Sequence, residues 1–279
     1  MIRRARTADD FAFCADVCNA VHPDNPVTGA LFAARATGAF LVHEAGGYAI
    51  VDSSSIPGAA FAMVRVRPEA RRHGLGSALL GAAAREARAR VHKRMYGRVA
   101  GGDGDSLAFA ERRGFCETGR DRTVMLEVRA ADGDVADGIV ELGAEHLRGA
   151  YEVAAECLPE MALPQVAAIS PYDEWVERES ELSPVAFVAL DGAEVVGYAR
   201  LYTFSDKRLE NGLTAVRRSH RRRGFALALK RAQIAWAAEH GYTEILTSMV
   251  AGNDAMRGVN ERLGYRPFRE EIVVEGPVP

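Results

Sequence analysis

The feature that most constrains this chain is an internal duplication. Val66-Arg67-Pro68-Glu69-Ala70-Arg71-Arg72-His73-Gly74-Leu75-Gly76 returns as Val216-Arg217-Arg218-Ser219-His220-Arg221-Arg222-Arg223-Gly224-Phe225-Ala226. Gly74 and Gly224 stand 150 residues apart, and 40 residues beyond each comes a second landmark: Arg113-Gly114-Phe115, then Leu263-Gly264-Tyr265. Two landmarks at one internal spacing are hard to obtain by chance. Solenoid repeats run to about 20–50 residues, so this period excludes one. It implies two domains of one fold, as the 279-residue length allows. The seam is expected at 130–137, where Ala130-Ala131-Asp132-Gly133-Asp134 has no apolar period. The halves are then 1–130 and 137–279.

Hydrophobic periodicity gives both halves the same order of elements. In the second, 144–158 reads as a helix stopped by Pro159, and 184–190 and 194–204 read as strands about the turn Asp191-Gly192. A third strand, 209–216, leads into a helix at 224–240, where Phe225, Leu229, Ala232 and Trp236 share a face and Gly241 marks the end. Strand 244–250, helix 254–263 and strand 265–274 follow. The first half matches with strands 40–44, 47–52 and 59–66, helix 75–91, strand 95–99, helix 106–112 and strand 123–128. The class is α/β with a mixed (α+β) sheet, antiparallel strands preceding a β-α-β-α-β tail.

Composition narrows the function. The formal net charge is −3, which gives no electrostatic case for nucleic acid or a membrane surface. No apolar run approaches the roughly 20 residues of a transmembrane helix. Asp9 and Asp10 follow the basic start where a signal peptide needs an apolar run, so a cytoplasmic location is expected. Cysteines stand at 14, 18, 116 and 157. They read as small buried hydrophobes; no ligand set for a metal accompanies Cys14 and Cys18.

Each copy places a basic, glycine-containing loop between a strand and a long helix. Glycine lets backbone approach a ligand closely, and the first-turn amides of a helix attract phosphate. Arg71, Arg72, Arg221, Arg222 and Arg223 add charge-assisted donors. A pyrophosphate suits such a loop. A sharp turn with solvated arginines explains one copy equally well, but is a poorer account of two. A Walker A loop fails for want of its lysine and spacing, and a dinucleotide fingerprint fails because position 79 is leucine.

Arg71-x-x-Gly74-x-Gly76 and Arg221-x-x-Gly224-x-Ala226 resemble the [QR]-x-x-G-x-[GA] signature of the GNAT superfamily of acetyl-CoA-dependent N-acetyltransferases. The resemblance covers essentially the whole chain, as two tandem GNAT domains. The second half is similar to the C-terminal domain of tandem GNAT proteins in Thr214-x-Val216, Ala228-Leu229-Lys230, Thr247, Asn253-x-x-Met256-x-x-x-Asn260 and Leu263-Gly264-Tyr265. This resemblance implies acetyl-CoA as co-substrate. Its pyrophosphate would lie on Val66, Arg71, Arg72, His73, Gly74, Leu75, Gly76 and Ser77 and on Val216, Arg221, Arg222, Arg223, Gly224, Phe225 and Ala226, with Asn253 and Asn260 as further contacts. The pantetheine arm would lie in a splay between strands 59–66 and 95–99, and between 209–216 and 244–250. A small-molecule or peptide amine would attack the thioester directly.

The sequence departs from the family at the acid. Many members carry tyrosine four residues before the late glycine; here those positions are Ala110 and Asn260, and Met249 replaces an asparagine of the tandem pattern. Ala110 marks the first domain as degenerate. The second is the expected catalytic one, with Glu210 as base, Asn260 beside the thiol and Tyr265 as a substitute phenol; Tyr198 and Tyr202 share a strand face and line either a pocket or the core. Two readings follow: an N-acetyltransferase, or a GNAT-fold module that binds acyl-CoA without turnover. Nothing in the sequence names the acceptor or sets an oligomeric state.

Overall fold

Near-continuous burial along the strands at 39–43, 47–53 and 185–191 dictates a sheet covered on both faces. The computed structural model describes residues 1–23, 26–34, 36–54, 56, 58–129, 136–160, 169–249 and 253–279. They form two compact units, residues 1–120 with 271–279, and residues 121–270.

Unit 1 begins with β1 (Arg3–Arg4), α1 (Ala8–Val21) and α2 (Gly29–Ala34). The strands β2 (Ala39–His43), β3 (Gly47–Ser53) and β4 (Ala59–Val66) form an antiparallel meander, and β1 pairs with β2. Then come α3 (Leu75–Ala89), β5 (Arg94–Ala100) and α4 (Gly104–Glu111), with β5 parallel to β4. Phe40, Val42, Tyr48 and Ile50 bury toward α1, while Leu41, Ala49 and Val51 bury toward α3, the period-2 split of a two-faced sheet.

Unit 2 repeats the plan. It has β7 (Ile139–Glu141), α5 (Leu147–Cys157) and α6 (Tyr172–Leu182), then β8 (Val185–Asp191), β9 (Glu194–Ser205) and β10 (Arg208–Val216). Helix α7 (Phe225–Glu239), strand β11 (Glu244–Met249) and helix α8 (Asp254–Arg262) follow, with β10 parallel to β11. Leu229 and Ala232 of α7 pack on Leu209, Val216 and Ile245, as the helical period requires.

The closing strands are exchanged. The long strand β6 (Cys116–Glu127) follows α4 in sequence, yet its residues 122–127 pair with β11 and complete the sheet of unit 2. The last strand, β12 (Arg266–Pro277), sends residues 271–277 antiparallel to β5 and completes unit 1, where Ile272 and Val274 join the core. The sequence reading places each closing strand in its own half; in space each completes the other's sheet. An exposed strand edge accepts any partner of matching register, so linear order does not choose between two equivalent edges. The expected seam falls largely on 130–135, outside the described residues, as does Val250 at the end of the expected strand 244–250. No described helix is long and apolar enough to cross a membrane.

Candidate functional site

The two glycine loops have the same backbone. Each leaves a strand at Val66 or Val216, makes one 3-10 turn (Pro68–Ala70; Arg218–His220) and turns left-handed twice before the helix. Arg72 and Arg222 have φ of 65° and 66°; Gly74 and Gly224, the N-caps of α3 and α7, have φ of 82° and 94°. Neither N-cap offers a side chain, so the first-turn amides at 75–77 and 225–227 have no cap acceptor. With the positive helix end behind them, they form an anion cradle.

The structure redistributes the arginine roles. Arg71 Nε donates to the Val66 carbonyl at 3.2 Å, and Arg221 Nε to the Val216 carbonyl at the same distance. The signature arginine therefore braces the loop to its strand through its Nε group. Arg72 pairs with Asp105 at 2.7 Å, Arg223 with Asp191 at 2.8 Å, and His220 lies 3.4 Å from Asp191. Arg222 makes no ion pair among the described residues and is the cation left for a ligand. His73 is exposed, and the Ser77 hydroxyl accepts from Arg113 at 2.8 Å. Leu75 and Val216 are buried in their cores, with Val66, Phe225 and Ala226 packed against them; Gly76 lies against Phe109.

Both parallel strand pairs part company partway. β4 and β5 are paired only through Phe61↔Tyr96, and β10 and β11 only through Glu210↔Leu246. In unit 1 the splay opens into a cavity of about 330 Å³ that reaches the loop at Arg71, Gly74 and Gly76. Val64, Val99, Phe109 and Ala110 line it together with His22 and Asp103, and Ala110 itself can move no proton.

In unit 2 the place where the strands part is built differently. β10 carries a bulge between Asn211 and Thr214 that β4 lacks. Glu210 stands at the point of parting, on the face opposite Leu209 and Asn211, whose side chains meet the α7 side. Asn260, buried on α8, donates to the Met249 sulfur at 3.3 Å, while its Oδ1 and the hydroxyl of Thr214 are buried without a partner. Asn253 caps α8 by accepting from the Met256 amide at 3.2 Å, as Asp103 caps α4.

Tyr265 is not the substitute acid. Its hydroxyl is buried and donates to Asn211 Oδ1 at 2.7 Å, and burial raises its pKa above the ordinary tyrosine value. Asn211 Oδ1 also accepts from Lys230 Nζ at 2.9 Å, and its amide donates to Gln233 Oε1 at 2.9 Å. The sequence reading missed this network; its signal was Lys230 and Gln233 standing where the first copy has Leu80 and Ala83.

Lys230 is 1% exposed, and burial pushes its pKa from 10.5 down to about 7. The titratable group facing it is the Tyr265 phenol; Asn211 and Gln233 are neutral. Between those two pKa values the unfolded chain holds a proton that the folded chain lacks, so stability rises with pH there. Lys230→Met is expected to flatten that rise and leave stability at pH 7 equal or higher. Urea unfolding at neutral and alkaline pH checks this; equal slopes for the two proteins refute it.

On the other face of unit 2, Tyr198 is fully buried rather than lining an open pocket. Its hydroxyl donates to Glu179 of α6, which also pairs with Arg200, and the Arg200 guanidinium lies 4.2 Å over the Tyr202 ring. Among the described residues no cluster suits a metal ion. Cys14 is buried in α1, and burial pushes its thiol up to about 12.

Two splayed sheets, each facing an amide cradle at a helix N-terminus, define an acyl-CoA acyltransferase fold present twice. The sequence profile of the Acetyltransferase (GNAT) family matches residues 20–115 and again 147–265, and the chain belongs to that family as a tandem of two of its domains. Its structure is similar to a GCN5-related N-acetyltransferase from Sphaerobacter thermophilus, at TM-score 0.77 and 17% identity, covering 100% of this chain and 95% of that one. It is equally similar to a tandem GNAT protein of the clavulanic acid biosynthesis pathway, solved without AcCoA, at TM-score 0.77 and 18% identity over 100% and 99% of the two chains. A GNAT-family acetyltransferase from Colwellia psychrerythraea matches at TM-score 0.66 and 14% identity over 99% of each chain. At these identities the likeness shows the fold. No curated protein matches the chain in sequence.

Proposed function

We propose that this protein transfers an acetyl group from acetyl-CoA to the amine of a small molecule or peptide, and that unit 2 performs the transfer. The observation carrying this is the contrast between the two splays. Both have the left-handed cradle for pyrophosphate, but only that of unit 2 combines a strand bulge, a carboxylate at the parting point and unpartnered buried acceptors. These features fit the thioester end of acetyl-CoA, which supplies the activated acetyl group.

Glu210 takes the proton of the attacking amine, directly or through water. The C–N bond forms as the C–S bond breaks, and the departing CoA thiolate takes its proton from solvent water. The bulge leaves backbone groups of β10 outside the ladder, open to a pantetheine amide. Asn260 Oδ1 accepts from the thiol once it is protonated; as a neutral amide it is no acid. Unit 1 holds the same ligand in its cavity without turnover, because binding alone favours ground and transition states equally. That cavity and Ala110 favour the second reading, an acyl-CoA-binding module, for unit 1. Release of free CoA thiol from acetyl-CoA across a panel of amines decides between them: no release with any amine leaves the binding module.

Arg222 separates binding from folding. At φ 66° an arginine side chain is disfavoured and glycine is not, so Arg222→Gly should leave the melting temperature unchanged or higher. It should weaken acetyl-CoA about tenfold or more, a charge-assisted hydrogen bond being worth about 1.5–3 kcal/mol. Calorimetric titration beside a melting curve tests both. Unchanged affinity would remove Arg222 from the cradle.

A further inference from the structure

The buried Lys230 network lies apart from the expected chemistry, yet it grips the strand that carries it. We infer that Lys230, with Tyr265 and Gln233, holds Asn211 and through it the bulge of β10, making Lys230 a positioning residue for acetyl transfer. The inference rests on the reading of unit 2 as the catalytic unit.

Asn211 uses its side chain at three points. Its Oδ1 accepts from Lys230 Nζ at 2.9 Å and from the Tyr265 hydroxyl at 2.7 Å, and its Nδ2 donates to Gln233 Oε1 at 2.9 Å. Lys230 Nζ and the Tyr265 hydroxyl converge on Oδ1 as donors while Gln233 Oε1 takes the amide hydrogen, so the three partners together dictate the sense of the amide. Asn211 is therefore fixed in position and in sense.

The register of β10 slips immediately after Asn211. Asn211 pairs with Leu201 and Thr214 with Ala199, leaving Gly212 and Leu213 opposite Arg200 alone. The bulge is tightly packed: a Cβ at Gly212 would lie 2.7 Å from the Tyr202 ring and 2.8 Å from the Arg200 side chain. Glu210, at the parting point, is the residue before the anchored asparagine. A strand held at Asn211 fixes where the Glu210 carboxylate and the bulge amides stand.

The duplication supplies an internal control. In unit 1 the ladder from Gly47↔Val66 to Ser53↔Ala60 runs without a bulge. The residues in the corresponding places are Ala62, Leu80, Ala83 and Phe115, all packed in an apolar core. The polar network and the bulge occur together in unit 2 and are absent together from unit 1. Packing alone does not call for a buried lysine, since leucine serves in the sister helix.

The test uses the full chain. Lys230→Met keeps the volume of the side chain. A graft of the unit 1 residues, Asn211→Ala with Lys230→Leu, Gln233→Ala and Tyr265→Phe, removes the network with side chains that a sister core already packs. Hydrogen exchange of the amides at 209–216 is expected to quicken about tenfold or more in both variants, with an unchanged or raised melting temperature. Asn211→Asp keeps an acceptor for Lys230 and Tyr265, and the Gln233 amide, whose Nε2 is buried without a partner, turns to donate to the second carboxylate oxygen, so this variant should exchange like wild type. In acetyl transfer, kcat should fall about tenfold or more while KM for acetyl-CoA stays within about twofold, the signature of misplaced groups rather than lost binding. Unchanged exchange in the graft overturns the inference whatever the kinetics. Faster exchange with unchanged kcat overturns the positioning role. A wild type that transfers acetyl to no amine overturns the enzymatic reading and the kinetic half of this one, and the exchange data still decide whether Lys230 holds the bulge.

Discussion

Gly224→Val is expected to abolish acetyl transfer, and Gly74→Val to leave it close to wild type. Both glycines are helix N-caps with positive φ, 94° and 82°, and an added Cβ would meet nothing within 4 Å at either. Steric collision is therefore not the mechanism. Backbone conformation is: an L-residue in the left-handed region loses about 1–2 kcal/mol, and a β-branched one more. The loop relieves that strain by leaving the conformation that aims its amides at the pyrophosphate. Each variant should lose acetyl-CoA binding in its own unit, and turnover then tells which unit works. A dead Gly74→Val beside an active Gly224→Val would reverse the assignment to unit 2.

Glu179→Ala should destabilise the protein by about 3–5 kcal/mol, because it takes the buried carboxylate away from the guanidinium it pairs with. The Glu179 side chain is 4% exposed and is shared by the Arg200 guanidinium and the Tyr198 hydroxyl. Arg200 itself is only 15% exposed. In unit 1 Ile50 occupies the place of Arg200 and packs in an apolar cluster. The pair Glu179→Leu with Arg200→Ile should therefore recover most of the loss, since exchanging a whole buried ion pair for apolar side chains is often neutral. Urea unfolding of the two single variants and the double variant measures the coupling. A single variant within about 1 kcal/mol of wild type would show that the pair carries little of unit 2's stability.

The elements missed in the sequence share one physical cause. Helix α6 has Tyr172, Trp175, Val176 and Leu182 at helical spacing, but Glu179 stands where the period calls for an apolar side chain. Helix α7 is legible from Phe225, Leu229, Ala232 and Trp236, while the burial of its polar Lys230 and Gln233 is not. A polar residue is buried when a partner satisfies it, and the partners here are distant in sequence: Tyr198 and Arg200 for Glu179, Asn211 and Tyr265 for Lys230. Arg71 and Arg221 add a local case. Their charge is visible in the sequence; the strand-end carbonyls that take their Nε groups are set by the turn.

The sequence by itself determined the duplication, the family, the order of the main strands and helices, and the cradle glycines at 74 and 224. Each of these rests on local chemistry: turn residues, side-chain period, and the freedom of glycine at positive φ. Tertiary structure alone decided which sheet each closing strand completes, because the edges of β5 and β11 offer equivalent ladders to strands of the same pattern. It alone placed Tyr265 in a buried network instead of at the thiol, opened the splay of unit 1 into a cavity, and bulged β10 but not β4. Those outcomes depend on long-range pairing and on what each buried polar group finds beside it, and residue spacing along the chain does not encode either.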